Sequence, residues 1–287
     1  MKVLILGAYG RLGVHLSKHL FRSNFDVIRQ GRSPLSELQI DPTIYDSLWR
    51  ALDALKPDAI INLTALTDIL DCEKYKRLAR KVNEHVPKHI AMAAGSNSLH
   101  KETRVIHLST DHVYSSGSYN DETNAVPVNQ YALTKLNGET HIKKIQGTVL
   151  RTNFIGKSGN GRHLSFTDWA VKELKNGNQI FAFDDIYLSA LHYSSLCENI
   201  EAVLQDPVPG VFNLGCIGRY TKADVVCKVA EIVGASQELV KKCAANFPDG
   251  IIRPADMSMN AMKFTRHYGD RLPEFSEELE KLKHDYK

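Results

Sequence analysis

The feature that most constrains this chain is the alternation of strand-like and helix-like segments over its first 150 residues. Lys2 to Gly7 is a short apolar run ending in glycine, and Arg11 to Arg22 carries Leu12, Leu16 and Leu20 at helical spacing. Phe25 to Arg29 reads as a second strand, Ile44 to Leu55 as a helix stopped near Lys56 and Pro57, and Ala59 to Leu63 as a third strand. Leu78 to Ala94 reads as a helix whose Pro87 kinks it or marks its true start. Arg104 to Ser109 is again a strand, Val128 to Lys144 a helix and Gly147 to Arg151 a strand. Such repetition predicts an α/β fold, a doubly wound parallel sheet with helices on both faces. Ligands bind such sheets beyond the carboxyl ends of the strands, so chemistry is to be sought there.

After Arg151 the rhythm changes. Asn153 to Arg162 is a polar, glycine-rich loop. Leu164 to Leu174, Tyr193 to Leu204 and Lys222 to Val233 read as helices, and Gln179 to Phe183 and Gly210 to Leu214 as strands. Glu274 to Lys287 is charged and amphipathic, and is expected to be a solvated surface helix. The expected division is a nucleotide-binding unit over 1–152 and a smaller, mainly substrate-binding α/β portion over 153–287. Segments near 179–215 are expected to return to the first sheet.

Composition excludes several classes. Thirty-six basic residues against 33 acidic ones give a formal charge of +3 with no dense basic run, so no nucleic-acid partner is expected. Five cysteines, an odd number with no Cys-x-x-Cys pair, read as scattered reduced thiols of a cytoplasmic protein. The 12 histidines show no metal-ligand spacing, so no metal is expected. No apolar stretch approaches the roughly 20 residues needed to span a bilayer, so no membrane partner is expected.

Gly7-Ala8-Tyr9-Gly10-Arg11-Leu12-Gly13 follows the first strand and opens the first helix. Gly7 permits a tight turn, Gly10 lets backbone approach a pyrophosphate, and Gly13 allows close helix–strand packing. The helix N-terminus adds free N–H groups and partial positive charge. The whole run from Gly7 through Tyr9, Gly10, Arg11 and Leu12 to Gly13 is therefore a candidate dinucleotide site. The second strand runs into Gln30-Gly31-Arg32-Ser33, with no acid to accept from a ribose 2′-OH. Arg32 suits a 2′-phosphate instead, which points to NADP(H) as cofactor; the plain alternative is a surface arginine.

Tyr131 and Lys135 stand four residues apart in Tyr131-Ala132-Leu133-Thr134-Lys135, on one face of a helix. A free phenol titrates near pH 10, and a neighbouring ammonium lowers that value. The pair can give a proton to a carbonyl oxygen as hydride reaches its carbon. Ser109-Thr110-Asp111 ends a strand about 20 residues upstream and can supply a hydroxyl that orients the carbonyl.

On these residues the chain resembles the extended short-chain dehydrogenase/reductases, and within them the dTDP-4-dehydrorhamnose reductase-like branch. The likeness also covers Asn62-Leu63-Thr64-Ala65, Asp71-Cys72-Glu73, Val82-Asn83, Ser109 to Tyr114, Tyr131 to Glu139 and Leu150-Arg151-Thr152-Asn153-Phe154. It continues through Phe183-Asp184-Asp185 with Ser189, and Arg253-Pro254 with Ser258. The resemblance implies Tyr131 as general acid, Lys135 as its tuner and holder of the nicotinamide ribose, and Thr110 as the catalytic hydroxyl, with Ser109 beside the cofactor. It implies that Ile40 and Asp41 flank the adenine, that Leu63, Thr64 and Ala65 lie beneath the nicotinamide-side ribose, and that Asn83 supports the site. Thr110, Asp111, His112, Asn153, Phe154 and Arg253 would meet a nucleotide-sugar. The implied reaction is NADPH-dependent reduction of a nucleotide-linked 4-keto-6-deoxyhexose in cell-surface polysaccharide biosynthesis.

The chain departs from that branch at four places. His112 follows the Ser-Thr-Asp run where an aromatic is usual, and Phe154 replaces a tryptophan. Ala190 stands where a Ser-Pro pair is usual, and His15 where some members present a carboxylate for magnesium at a dimer contact. A nucleotide-sugar epimerase or dehydratase with retained NAD is a competing reading, opposed by the missing acid after the second strand. A non-catalytic NADP-binding regulatory subunit is another, opposed by Tyr131 and Lys135. A homodimer stays open. Asp71 and Glu73 read as loop or helix-start acids rather than a metal pair; Trp49 reads as core, and Trp169 stays open.

Overall fold

The computed structural model describes residues 1–95, 103–115, 117–161, 164–269 and 272–287. Its centre is a parallel sheet. The strands β1 (Lys2–Leu6), β2 (Asp26–Gly31), β3 (Leu38–Gln39), β4 (Ala59–Asn62), β5 (Arg104–Thr110) and β6 (Thr148–Thr152) are joined at one edge by Gly210–Leu214. Reading across the sheet, the order is Gly210–Leu214, β6, β5, β4, β1, β2, β3. The order reverses direction at β1, between β4 and β2, which opens a crevice at the carboxyl ends of β1 and β4.

Strand periodicity sorts the core into two layers. Val3 and Ile5 face a cluster that includes Leu12, Leu16 and Leu20 of helix α1 (Arg11–Arg22). Leu4 and Leu6 face the opposite cluster, with Leu48 and Leu52 of helix α2 (Tyr45–Leu55) and Ile90 of the helix His85–Gly95. All four β1 residues are fully buried. Each such aliphatic side chain contributes about 1.5–3 kcal/mol relative to exposure. Trp49 packs against the second cluster as expected, while Trp169 is 40% exposed and stacks on Phe166.

The helix expected over Leu78 to Ala94 is two helices, Lys76–Asn83 and His85–Gly95, parted at Glu84. Pro87 sits in the first turn of the second, where its missing N–H costs nothing. The active helix expected from Val128 begins at Gln130, because Asn129 caps it by accepting from the Ala132 N–H at 2.9 Å. In the second half, Gly210–Leu214 pairs with β6 in parallel. Ile180–Phe183 does not reach that sheet and pairs instead with Val240–Cys243. The loop expected from Asn153 runs to Arg162, which lies outside the described residues.

The C-terminal helix, Phe275–Tyr286, corrects the expectation of a solvated surface element. Phe275, Glu278 and Leu282 are fully buried. The Glu278 carboxylate accepts from the Ser195 hydroxyl at 2.7 Å, from Lys281 at 2.7 Å and from the His192 backbone N–H. A charge that would be prohibitive in an apolar core is tolerated here because it is paired three ways. Among the described residues, no helix is long and apolar enough to cross a membrane.

Candidate active site

The glycine turn sits at the crevice. Gly7 has φ of +79°, and a Cβ at Gly13 would lie 2.5 Å from the Gly7 carbonyl oxygen. Only glycine permits both the turn and this close approach of α1 to it. Residues Leu63 to Ala65 continue β4 on the other wall: the Leu63 N–H donates to the Leu6 carbonyl at 2.9 Å, and the Thr64 hydroxyl to Asn62 Oδ1. A cavity of about 540 Å³ opens beside the turn, lined by Tyr9, Gly31, Arg32, Ser33, Ser36 and Asn160 among others. Free helix N–H groups, a guanidinium and two hydroxyls make a donor set that fits a phosphorylated dinucleotide.

Gln30, which the sequence reading passed over, ties this wall together. It is buried, its Oε1 accepts from the Gly7 N–H at 2.9 Å, and its Nε2 donates to the Ile40 carbonyl at 2.7 Å. Ile40 is thereby fixed at the end of β3. Asp41 beside it accepts from the Thr43 N–H and hydroxyl, and these bonds hold its carboxyl below the usual range although burial works the other way.

Tyr131 and Thr110 meet where the Gln130–Lys144 helix crosses the end of β5. Tyr131 is 8% exposed, and the Thr110 side chain lies close enough to act on the titration of its phenol. Thr110 Oγ1 also accepts from the His112 backbone N–H at 3.2 Å and lies 3.3 Å from Asp111 Oδ1. The N-terminal N–H of the helix, on Gln130, donates to Glu73 at 2.7 Å, so Glu73 is a helix-start carboxylate.

The side chain of Lys135 takes a partner other than Tyr131. Burial pushes the phenol up, and the groups that oppose this are Thr110 and, more weakly, Arg11. The Lys135 ammonium instead donates to the Leu108 carbonyl at 2.5 Å. Burial holds Lys135 down at about 8, and Glu139, one turn along, works against that shift. The two residues share a helix face, but β5 backbone claims the ammonium.

Behind them lies a buried network that motif reading did not single out. Arg151 of β6 binds Glu139 through Nη2 at 2.7 Å and Nε at 3.0 Å, both side chains being almost fully buried. Ser109 donates to the same carboxylate at 2.5 Å. Arg151 Nη1 donates to the Tyr114 hydroxyl, which donates to Asn213 Oδ1 of the edge strand Gly210–Leu214. The network bolts the helix of Tyr131 to three strands. The spacing Tyr131, Lys135, Glu139 was the available signal, since it continues one helix face. Asn83 supports the same helix, donating to Thr134 at 3.1 Å and bracketing the Leu66 backbone.

The family model for the RmlD substrate binding domain matches residues 1–287. The chain belongs to that family. It is 25% identical to a probable low-salt glycan biosynthesis reductase of Haloferax volcanii, over 98% of this chain and 97% of that one. It is 27% identical to a dTDP-4-dehydrorhamnose reductase of Mycobacterium tuberculosis, over 93% and 86%. The crystal structure of a dTDP-4-dehydrorhamnose reductase of Clostridium acetobutylicum superposes with a TM-score of 0.87, at 25% identity and covering 99% and 98% of the two chains.

In this RmlD-family chain the substrate-facing expectations fall into two groups. Asp111, His112 and Asn153 are gathered: Asn153 Nδ2 donates to Asp111 Oδ2 at 2.7 Å, and His112 stands edge-on to Tyr131 with ring centres 5.5 Å apart. Burial raises Asp111 to about 7, against the bonds from Asn153 and Thr110 and the charge of Lys222. Lys222, the first residue of the helix Lys222–Val233, was not anticipated; its nearness to Asp111 and Arg253 is a tertiary outcome. Phe154 and Arg253 have other partners. Phe154 packs on Tyr193 at 5.1 Å, and Arg253 is paired twice with Asp249 and lies over the Phe247 ring. His15 stacks on Tyr193, and its Nε2 lies 2.9 Å from the Lys157 carbonyl.

Proposed function

We propose that this family member is an NADPH-dependent reductase of nucleotide-linked 4-keto-6-deoxyhexoses, acting in cell-surface polysaccharide biosynthesis. One observation carries the reading. The Tyr131 phenol and the Thr110 hydroxyl meet at the carboxyl end of β5, on the same edge of the sheet as the glycine turn that ends β1. A bound NADPH supplies the hydride. Gly7 to Gly13 hold its diphosphate, Arg32 its 2′-phosphate, and Leu63 to Ala65 and Ser109 flank the nicotinamide half.

The chain's own residues handle the proton and the carbonyl. Thr110 orients the carbonyl oxygen by a hydrogen bond, and Tyr131 gives it a proton. The Tyr131 phenol is protonated at neutral pH, as a proton donor must be, although burial makes it a weaker acid than a free tyrosine. Lys135 is a cation below about pH 8 and can then pair with a ribose hydroxyl. Asp111, His112, Asn153, Phe154 and Arg253 face the nucleotide-sugar, with residues 1–152 as the cofactor unit and most of 153–287 as the substrate portion. The absence of an acid after β2 weighs against a dehydratase or epimerase with retained NAD. A cytoplasmic location and a homodimer complete the proposal.

The test is direct. Purified protein should oxidise NADPH only when a dTDP-4-keto-6-deoxyhexose is added, and should form one equivalent of reduced sugar nucleotide. Tight NADPH binding without turnover on a panel of keto-sugar nucleotides would replace this reading with a regulatory, non-catalytic role.

A further inference from the structure

His112 holds a polar atom that the fold leaves unsatisfied. Its imidazole Nδ1 is closed off from solvent and meets no hydrogen-bond partner among the described residues. Buried polar atoms in folded proteins are nearly always paired, and an exception beside a reaction centre marks a place where a ligand completes the bonding. The polar side chains just before it in sequence have other partners: Asp111 accepts from Asn153, and Thr110 accepts from the backbone of His112 itself.

The charge state of the ring follows from its surroundings. Burial first, then the cations Lys222 and Arg253, hold His112 down at about 3. At working pH the ring is neutral, with one nitrogen able to donate and the other to accept. A neutral imidazole suits a hydroxyl, which can play either part, and has no advantage for a phosphate or carboxylate.

Position then narrows the partner. The His112 backbone N–H donates to the Thr110 hydroxyl at 3.2 Å and its ring stands 5.5 Å from that of Tyr131, so His112 borders both side chains of the proposed reaction centre. A ligand group that meets it must sit beside the reacting carbonyl. In a 4-keto-6-deoxyhexose the two flanking carbons differ, one bearing a hydroxyl and the other the methyl branch. Only the hydroxyl can pair with a ring nitrogen.

We propose that His112 is a specificity-determining residue whose neutral imidazole hydrogen-bonds the sugar hydroxyl vicinal to the ketone. The assignment rests on the reductase reading and deepens it. It places the selectivity for an α-hydroxy ketone on one side chain of this chain.

The experiment measures kcat/KM of the wild type, His112→Phe and His112→Asn on a dTDP-4-keto-6-deoxyhexose and on its 3-deoxy counterpart. NADPH affinity by fluorescence titration serves as the check on folding. The expected result is about a tenfold loss for His112→Phe on the hydroxylated ketone and a change within about twofold on the deoxy one, the size of one hydrogen bond. His112→Asn, which keeps a donor and an acceptor, should recover part of the loss. Equal losses on both ketones, or no loss on either, with an active wild type would overturn the His112 assignment and leave the reductase reading intact. A wild type that binds NADPH but reduces neither ketone would overturn the reading and the assignment with it.

Discussion

The two walls of the crevice are built by different means. The wall proposed to hold the cofactor is backbone: a glycine turn, a helix N-terminus, and strand ends tied by Gln30. The wall proposed to meet the substrate is side chains. Asp111, His112, Asn153, Lys222 and Arg253 come from four separate stretches of chain, and burial moves Asp111 up to about 7 and His112 down to about 3. A backbone-built site is specified by local sequence, since spacing and glycine content decide it. A side-chain-built site gets its properties from the desolvation and charge that distant segments bring. Tyr131, Lys135 and Thr110 lie on the seam between the two.

If the walls are separate, Tyr131→Phe should lower turnover by about 10²–10⁴-fold and leave NADPH affinity within about twofold. Steady-state rates and a cofactor titration measure the two effects; a parallel loss of affinity would break the comparison, because the phenol would then belong to the cofactor wall as well. Glu139→Ala should destabilise the chain by about 3–5 kcal/mol in urea unfolding, since it leaves the Arg151 guanidinium buried and unpaired. A loss under about 1 kcal/mol would mean that the seam is not held by that pair.

Asp111 gives a smaller, pH-dependent effect. Its folded-state value is about 7 against an ordinary 3.8. Between those values the folded chain holds a proton that the unfolded chain has released, so this group's contribution to stability falls as pH rises from about 4 to 7. Asp111→Asn should flatten the stability–pH curve in that window, and an unchanged slope would remove Asp111 from the perturbed side of the comparison. Arg32→Ala should reduce the preference for NADPH over NADH by about tenfold, the scale of one charge-assisted hydrogen bond, with rates at saturating cofactor unaffected. An equal loss for both cofactors would detach Arg32 from the 2′-phosphate.

Much of the fold was legible because its signals are local. Leu12, Leu16 and Leu20 at helical spacing gave α1 its bounds of Arg11 and Arg22, and all three leucines are buried against β1. Proline misled by a few residues, because a helix can begin ahead of Pro87 and carry it in the first turn. The C-terminal charge run misled further. Nothing near Glu278 in sequence reveals that Ser195 and the His192 backbone will meet its carboxylate. The strand at Ile180–Phe183 was visible, whereas its partner Val240–Cys243 lies some 60 residues away.

The candidate site divides in the same way. Gly7, Gly10, Gly13, Tyr131 and Lys135 could be named from spacing, and Thr110 from the family resemblance. Their electrostatics could not: the Tyr-x-x-x-Lys spacing puts an ammonium near a phenol, but the Leu108 carbonyl of β5 is what Lys135 binds.

The amino-acid order by itself settled the alternating α/β plan, the glycine turn and the residue types able to move a proton, because each depends on neighbours within a turn or two of chain. The tertiary structure alone decided which of those groups are charged, which are paired and which are left wanting a partner. Burial and charge act through space, and the segments that supply them lie tens to more than a hundred residues apart along the chain.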